Sequence, residues 1–120
     1  MAASPRDIFH ITTEADWARA QAEGAYSVST RGLTLAQVGF VHCAFEAQVA
    51  RVANAFFRGV AKLIVLRIAI DRLNPEVRYE NLEGGHELFP HVYGPLNLDA
   101  VVAIRPLPPR RDGTFRFTVG

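Results

Sequence analysis

The sequence predicts an α+β fold with mainly antiparallel strands, on three observations. The helix-patterned segments all lie before Gly59. The run Leu63-Ile64-Val65-Leu66-Arg67-Ile68-Ala69-Ile70 is nearly continuous, apolar and β-branched. Further strand-like runs follow it with only turns between them. Helices early and strands late separate the two element types along the chain, which is the α+β pattern.

Residues 1–6 read as an N-terminal tail, and residues 7–120 as a single domain. Ile8–Ile11 is a short strand. Thr13 is an N-cap residue, and Glu14 and Asp16 fall in the first turn, where the helix dipole favours them. Trp17, Ala20 and Gly24 give this first helix one apolar side, and Gly24 is a natural stop. Tyr26–Ser29 is extended, and Leu33–Val38 reads as a helical turn. Phe40–Cys43 is a short strand after Gly39. Phe45–Arg58 carries the clearest helical pattern, with Val49, Val52, Ala53 and Phe56 at i, i+3, i+4 and i+7, ended by Gly59. Leu63–Ile70 then reads as a central strand covered on both faces. Asp71–Pro75 is a turn, Val77–Glu80 a strand, and Asn81–Glu87, with Gly84-Gly85, a loop. Leu98–Ile104 reads as a strand, and Asp112-Gly113 as a turn across which 104–107 and 115–119 pair.

Composition narrows the function classes. A chain of 120 residues, 49% hydrophobic and 21% charged, has the balance of an ordinary globular domain. A domain of this length buries roughly two-thirds of its unfolded surface. The net charge is +1, and the densest basic spot, Arg105–Arg111, is interrupted by Pro106, Pro108 and Pro109. No nucleic-acid groove is evident in that pattern. The one cysteine, Cys43, excludes an intramolecular disulfide and a multi-cysteine zinc knuckle. No apolar run approaches the ~20 residues of a membrane span. No secretion signal opens the chain, so a cytoplasmic location is expected.

Three of the four histidines stand in short apolar, strand-like runs: His10 in Ile8–Ile11, His42 in Gly39–Cys43 and His91 in Phe89–Tyr93. Each alone is compatible with a hydrogen-bonded core residue. Together they point to a shared polar site, because histidine serves as acid, base or oriented donor near neutral pH. In a strand, residues two apart share a face, so Phe40 and His42 face one way and Val41 and Cys43 the other. His91 and Tyr93 likewise share a side, with Pro90 and Pro95 fixing the backbone around them. The other reading of that stretch is a rigid surface turn with a packed tyrosine. There is no GxGxxG, no P-loop and no HExxH. A zinc site from His10, His42 and His91 is an alternative that no metal-ligand spacing supports. Cys43 reads as a small core hydrophobe.

The residues Phe9-His10-Ile11-Thr12, Trp17, Gly39-Phe40-Val41-His42-Cys43, Val52-Ala53-Asn54, Phe56-Phe57, Tyr79-Glu80 and Phe89-Pro90-His91-Val92-Tyr93-Gly94-Pro95-Leu96 together resemble the bacterial domain-of-unknown-function family 952. The resemblance covers roughly residues 7 to 117. One departure is Ala44, where the family often has serine or threonine. That family is similar in fold to ADP-ribosyltransferases, which implies a split, mainly antiparallel curved sheet with two main helices, and NAD or a related nucleotide as substrate. The resemblance implies that His10 binds the adenosine-side ribose and that His42 lines the nicotinamide pocket. Glu80 is the implied carboxylate at the reacting ribose, with His91 and Tyr93 as rivals. Phe40 and Tyr93 would stack on the base.

The expected catalytic set is therefore His42, His91, Glu80 and Tyr93, and the expected nucleotide-binding set His10, Phe40, His42 and Tyr93, with no metal. Arg31, Arg67 and Arg78 are the candidate phosphate partners, each also readable as a surface charge. A non-catalytic nucleotide- or small-ligand-binding module on the same fold is the alternative, and a histidine-based metal-dependent hydrolase a third reading.

Overall fold

A computed structural model describes residues 7–82 and 85–119. The expected tail at 1–6 and the centre of the expected loop, including Gly84, lie outside the described residues. In chain order the elements are β1 (Asp7–Thr13), α1 (Glu14–Glu23), β2 (Ala25–Tyr26), β3 (Val28–Thr30), β4 (Leu33–Thr34), α2 (Leu35–Val38), β5 (Val41–His42), α3 (Glu46–Phe56), β6 (Leu63–Ala69), β7 (Glu76–Glu80), β8 (Phe89–Tyr93), β9 (Leu96–Asn97) and β10 (Val101–Pro106). This is a mixed α+β architecture with antiparallel pairing.

Local chemistry sets the boundaries. Thr13 Oγ1 accepts from the Asp16 amide at 3.1 Å and starts α1. Gly24, at φ 88°, ends it in the left-handed region that favours glycine. Thr34 and Gln37 form a reciprocal capping box that starts the single turn of α2.

Two three-stranded antiparallel sheets organise the molecule, with strand orders β1-β6-β10 and β5-β8-β7. Their meeting point is a bridge between Phe9 and Ala44, whose amides and carbonyls exchange two 2.8 Å hydrogen bonds. Two-stranded pairs β2-β9 and β3-β4 flank them. β6 is central in its sheet, and its alternation explains the unbroken apolar run. Ile64, Leu66 and Ile68 pack with Ile8, Ala20, Tyr26, Val41 and Val92. Leu63 and Val65 pack with Phe9, Ile11, Val49, Ala53, Phe57 and Phe115. The strand is covered on both faces, as its composition demands.

Three sequence expectations are corrected. The apolar seam of α3 ends on buried Phe57, while Phe56 is 58% exposed. The i, i+4, i+8 line through Val49, Ala53 and Phe57 follows the buried face more closely than the i+7 position. Leu98–Ala100 is a 3₁₀ turn, so the last strand starts only at Val101. Residues 115–119 do not pair with 104–107. Instead β10 pairs with β6, and the end of the chain is tied to α3. Asn54 donates to the Phe115 carbonyl at 3.2 Å and accepts from its amide at 2.7 Å. The turn at Asp112-Gly113 forms, with the Arg110 amide donating to the Thr114 carbonyl at 2.7 Å.

Candidate functional site

The sheet β5-β8-β7 has one apolar and one polar face, and strict alternation produces both. Val41, Cys43, Val77 and Val92 point into the core. Burial pushes the Cys43 thiol far above its ordinary range, so it stays protonated and inert. The neighbouring positions, His42, His91, Tyr93, Arg78 and Glu80, take the other face. Register aligns them: His42 lies opposite His91 across one interface, and Arg78 opposite His91 across the next.

The centre of this face is Glu80. Its Oε1 accepts from the Tyr93 hydroxyl at 2.6 Å and from His91 Nδ1 at 2.9 Å. The Tyr93 bond, then the His91 bond, hold the Glu80 carboxyl below its ordinary range. The same carboxylate pushes the Tyr93 phenol up. The His91 side chain is 2% exposed and that of Glu80 23%. Phe40 stacks on the His91 ring with centroids 4.0 Å apart and lies 5.4 Å from Tyr93. The His42 ring is 5.1 Å from His91 and 5.8 Å from Phe89. Arg78 covers the Tyr93 ring, with its guanidinium carbon 4.2 Å from the centroid. Nε2 of His91 is buried and meets no hydrogen-bond partner among the described residues.

His10 belongs to a second, connected network. Its Nδ1 lies 2.7 Å from the His42 carbonyl, and its Nε2 lies 2.6 Å from the Tyr26 hydroxyl. A carbonyl only accepts, so Nδ1 carries the proton. Desolvation lowers the imidazole to about 4, so the ring is neutral and Nε2 accepts from Tyr26. The Thr12 hydroxyl, 2.8 Å from that of Tyr26, then donates in turn. Burial drives the Tyr26 phenol well above its ordinary range.

This relay surfaces in a cleft of about 260 Å³ lined by Ile11, Thr12, Asp16, Tyr26, Thr30 and Arg31, among others. A second, much smaller depression shares Ile11, Thr30 and Phe57 with the cleft and is also lined by Phe9, His42, Cys43 and Ala44. The cleft, with Asp16 and Arg31, and the small depression, with His42, both lie along the seam where the two sheets meet.

The structure brings Phe40, His42, Glu80, His91 and Tyr93 together on one face. It sets the His10 ring apart, joined to them through the backbone of His42. Arg31 lines the cleft and donates to the Phe56 carbonyl at 3.2 Å. Arg67 pairs with Asp7 at 2.6 Å, away from the site. Among the described residues no group of three or more histidine, cysteine, aspartate or glutamate side chains is placed to hold a metal ion. No described helix is long and apolar enough to cross a membrane. Sequence reasoning missed Tyr26, Thr12 and Thr30. The available signal was a tyrosine in an extended stretch beside a strand-borne histidine, since a buried tyrosine hydroxyl needs a partner.

The model of a family described as "Protein of unknown function (DUF952)" matches residues 11–104. The crystal structure of protein CC0527 from Caulobacter crescentus is 30% identical, with TM-score 0.80, covering 92% of this chain and 93% of that one. The solution NMR structure of CC0527 gives 30% identity and TM-score 0.76, covering 91% and 90%. No curated protein matches the chain.

Proposed function

Because the chain belongs to the DUF952 family of proteins of unknown function, its activity must be read from its own site, and we propose an ADP-ribosyltransferase-like domain that takes NAD or a related nucleotide along the seam of its two sheets. The observation that carries this reading is the groove. It is a cleft lined by Thr12, Thr30 and Arg31, next to a small depression that shares Thr30 with it and is lined by His42, whose ring lies 5.1 Å from that of His91. At about 260 Å³ the cleft lies just below the usual range for ligand pockets, which suits one half of a dinucleotide.

The residue roles follow from chemistry. Thr30 offers a hydroxyl to a ribose, Thr12 offers its oxygen as an acceptor, and Arg31 offers a cation to phosphate. His10 acts through Tyr26, because both of its nitrogens are already engaged. Phe40 and Tyr93 supply aromatic surface for a base. Breaking the nicotinamide–ribose bond develops oxocarbenium-like positive charge, which the ionised Glu80 carboxylate stabilises.

A second reading is a non-catalytic nucleotide-binding module. It is favoured by the convergence of two donors on one Glu80 oxygen, which spends much of that charge internally. One experiment separates the two. Millimolar NAD should raise the melting temperature, His42→Ala and Arg31→Ala should reduce that rise, and nicotinamide should appear in the medium. Binding without nicotinamide release selects the module. No shift with NAD, ADP-ribose or an RNA 2′-phosphate rejects both.

A further inference from the structure

We infer that Glu80 and His91 form a base dyad, in which His91 Nε2 takes the proton of a small oxygen nucleophile, water or an unhindered hydroxyl. This deepens the reading of the groove as an NAD-type site and rests on it. The geometry carries the step beyond it. Glu80 is ionised and can only accept, so its 2.9 Å contact fixes the proton of His91 on Nδ1. With the proton on Nδ1, Nε2 presents a lone pair, and that buried atom meets no hydrogen-bond partner among the described residues. Burying such a group costs free energy unless a ligand completes it. A carboxylate that orients an imidazole and stabilises its protonated form is the arrangement of a base activated by a positioned anion. Tyr93 shares Oε1 and keeps the carboxylate from turning away.

The surroundings select the acceptor. The charged or titratable groups facing His91 are Glu80 and Arg78 from β7, His42 from β5 and Tyr93 from β8. A guanidinium acceptor would bring a second cation beside Arg78, whose one strong carboxylate partner, Glu76 at 3.1 Å, is already engaged. A bulky acceptor would not reach a buried atom on a ring covered by Phe40, whose centroid is 4.0 Å away. A hydroxyl fits both limits. In the step, the acceptor O–H bond breaks and its proton passes to Nε2, while an oxygen lone pair forms the new bond to C1′. The C1′–N bond breaks, and its electron pair neutralises the departing nicotinamide nitrogen. The imidazolium later returns its proton to solvent. Glu80 acts here as a positioning residue for His91.

The test follows nicotinamide release against pH for the wild type, Glu80→Gln and His91→Gln, with NAD binding monitored by thermal shift. The wild type should lose activity on an acid limb. Glu80→Gln should alter that limb and lower turnover while NAD still binds, because Nδ1 has lost the acceptor that fixes its proton. His91→Gln should abolish the limb and lower turnover by roughly 10²- to 10⁴-fold while NAD still binds. Added methanol should divert wild-type product to the methyl glycoside. His91→Gln turning over at the wild-type rate with an unchanged acid limb would overturn the dyad and leave the groove reading standing. Absence of any NAD-dependent thermal shift overturns the groove reading and the dyad together. Should His91→Gln not fold, long-range proton–nitrogen spectra of the wild-type imidazoles decide. An Nδ1-protonated His91 supports the dyad, and an Nε2-protonated one overturns it.

Discussion

His10 is a titratable ring sealed in the interior, and its neutrality has a measurable consequence. In the unfolded chain it takes a proton near pH 6.5, whereas in the native state it resists protonation until about 4. Between those values the unfolded state binds more protons, so stability falls as pH drops through this window. The shift corresponds to roughly 3 kcal/mol. Urea titrations at pH 7 and pH 4.5 should show the loss, and His10→Gln should flatten it. An unchanged slope in that variant would assign the loss to other groups. At this scale the sequence was informative about residue type and silent about partners. His10, His42 and His91 stood out as strand-borne histidines. Only the fold could show that the ring of one is bonded to the backbone of another, because that contact spans 32 residues.

Among elements, the β7–β8 connection is fastened to α3. Glu87 pairs with Arg51, one bond being 2.6 Å, and accepts from Gln48 at 3.3 Å. Gln48 also donates to the Leu88 carbonyl at 3.0 Å. The Arg51 guanidinium, then Gln48, hold the Glu87 carboxyl at about 2. Its contribution is therefore complete above the ordinary carboxylate range and disappears as pH falls from about 4.5 to about 2. Amide exchange in the adjoining strand Phe89–Tyr93, normalised for intrinsic pH dependence, should accelerate from pH 5 to pH 3, and Glu87→Gln should accelerate it already at pH 5. The far end of β8 depends on a close approach. A Cβ on Gly94 would lie 2.8 Å from the Pro75 Cβ, a rigid ring atom. Gly94→Ala should cost about 1–3 kcal/mol, read as a lower urea midpoint at an unchanged slope. Caps and alternation made α1, β6 and the core-facing side of β5 readable, since Thr13, Gly24 and Val41/Cys43 act over a few residues. The tail at 115–119 was not readable, because Asn54 replaces the strand partner that the Asp112-Gly113 turn suggested.

Over the whole molecule, a single apolar cluster draws on both three-stranded sheets. It combines Ile8, Leu66 and Ile68 of one with Val41 and Val92 of the other, and Trp17 packs against it. Trp17 fluorescence and far-ultraviolet circular dichroism should therefore report one coincident unfolding transition. Two separated transitions would show that the sheets unfold independently. The antiparallel α+β plan was legible from the order of segments, while the groove was not, because it exists only where β1, β3 and β5 meet. His42 occupies that junction twice over. Its main-chain oxygen anchors the imidazole of His10, and its ring faces His91. The mechanical link uses an atom that every amino acid possesses, so replacing the ring does not by itself sever it. Position 42 thus joins scaffold and site through different atoms, so a small library there would vary the chemistry beside His91 while the carbonyl that holds His10 stays in the chain.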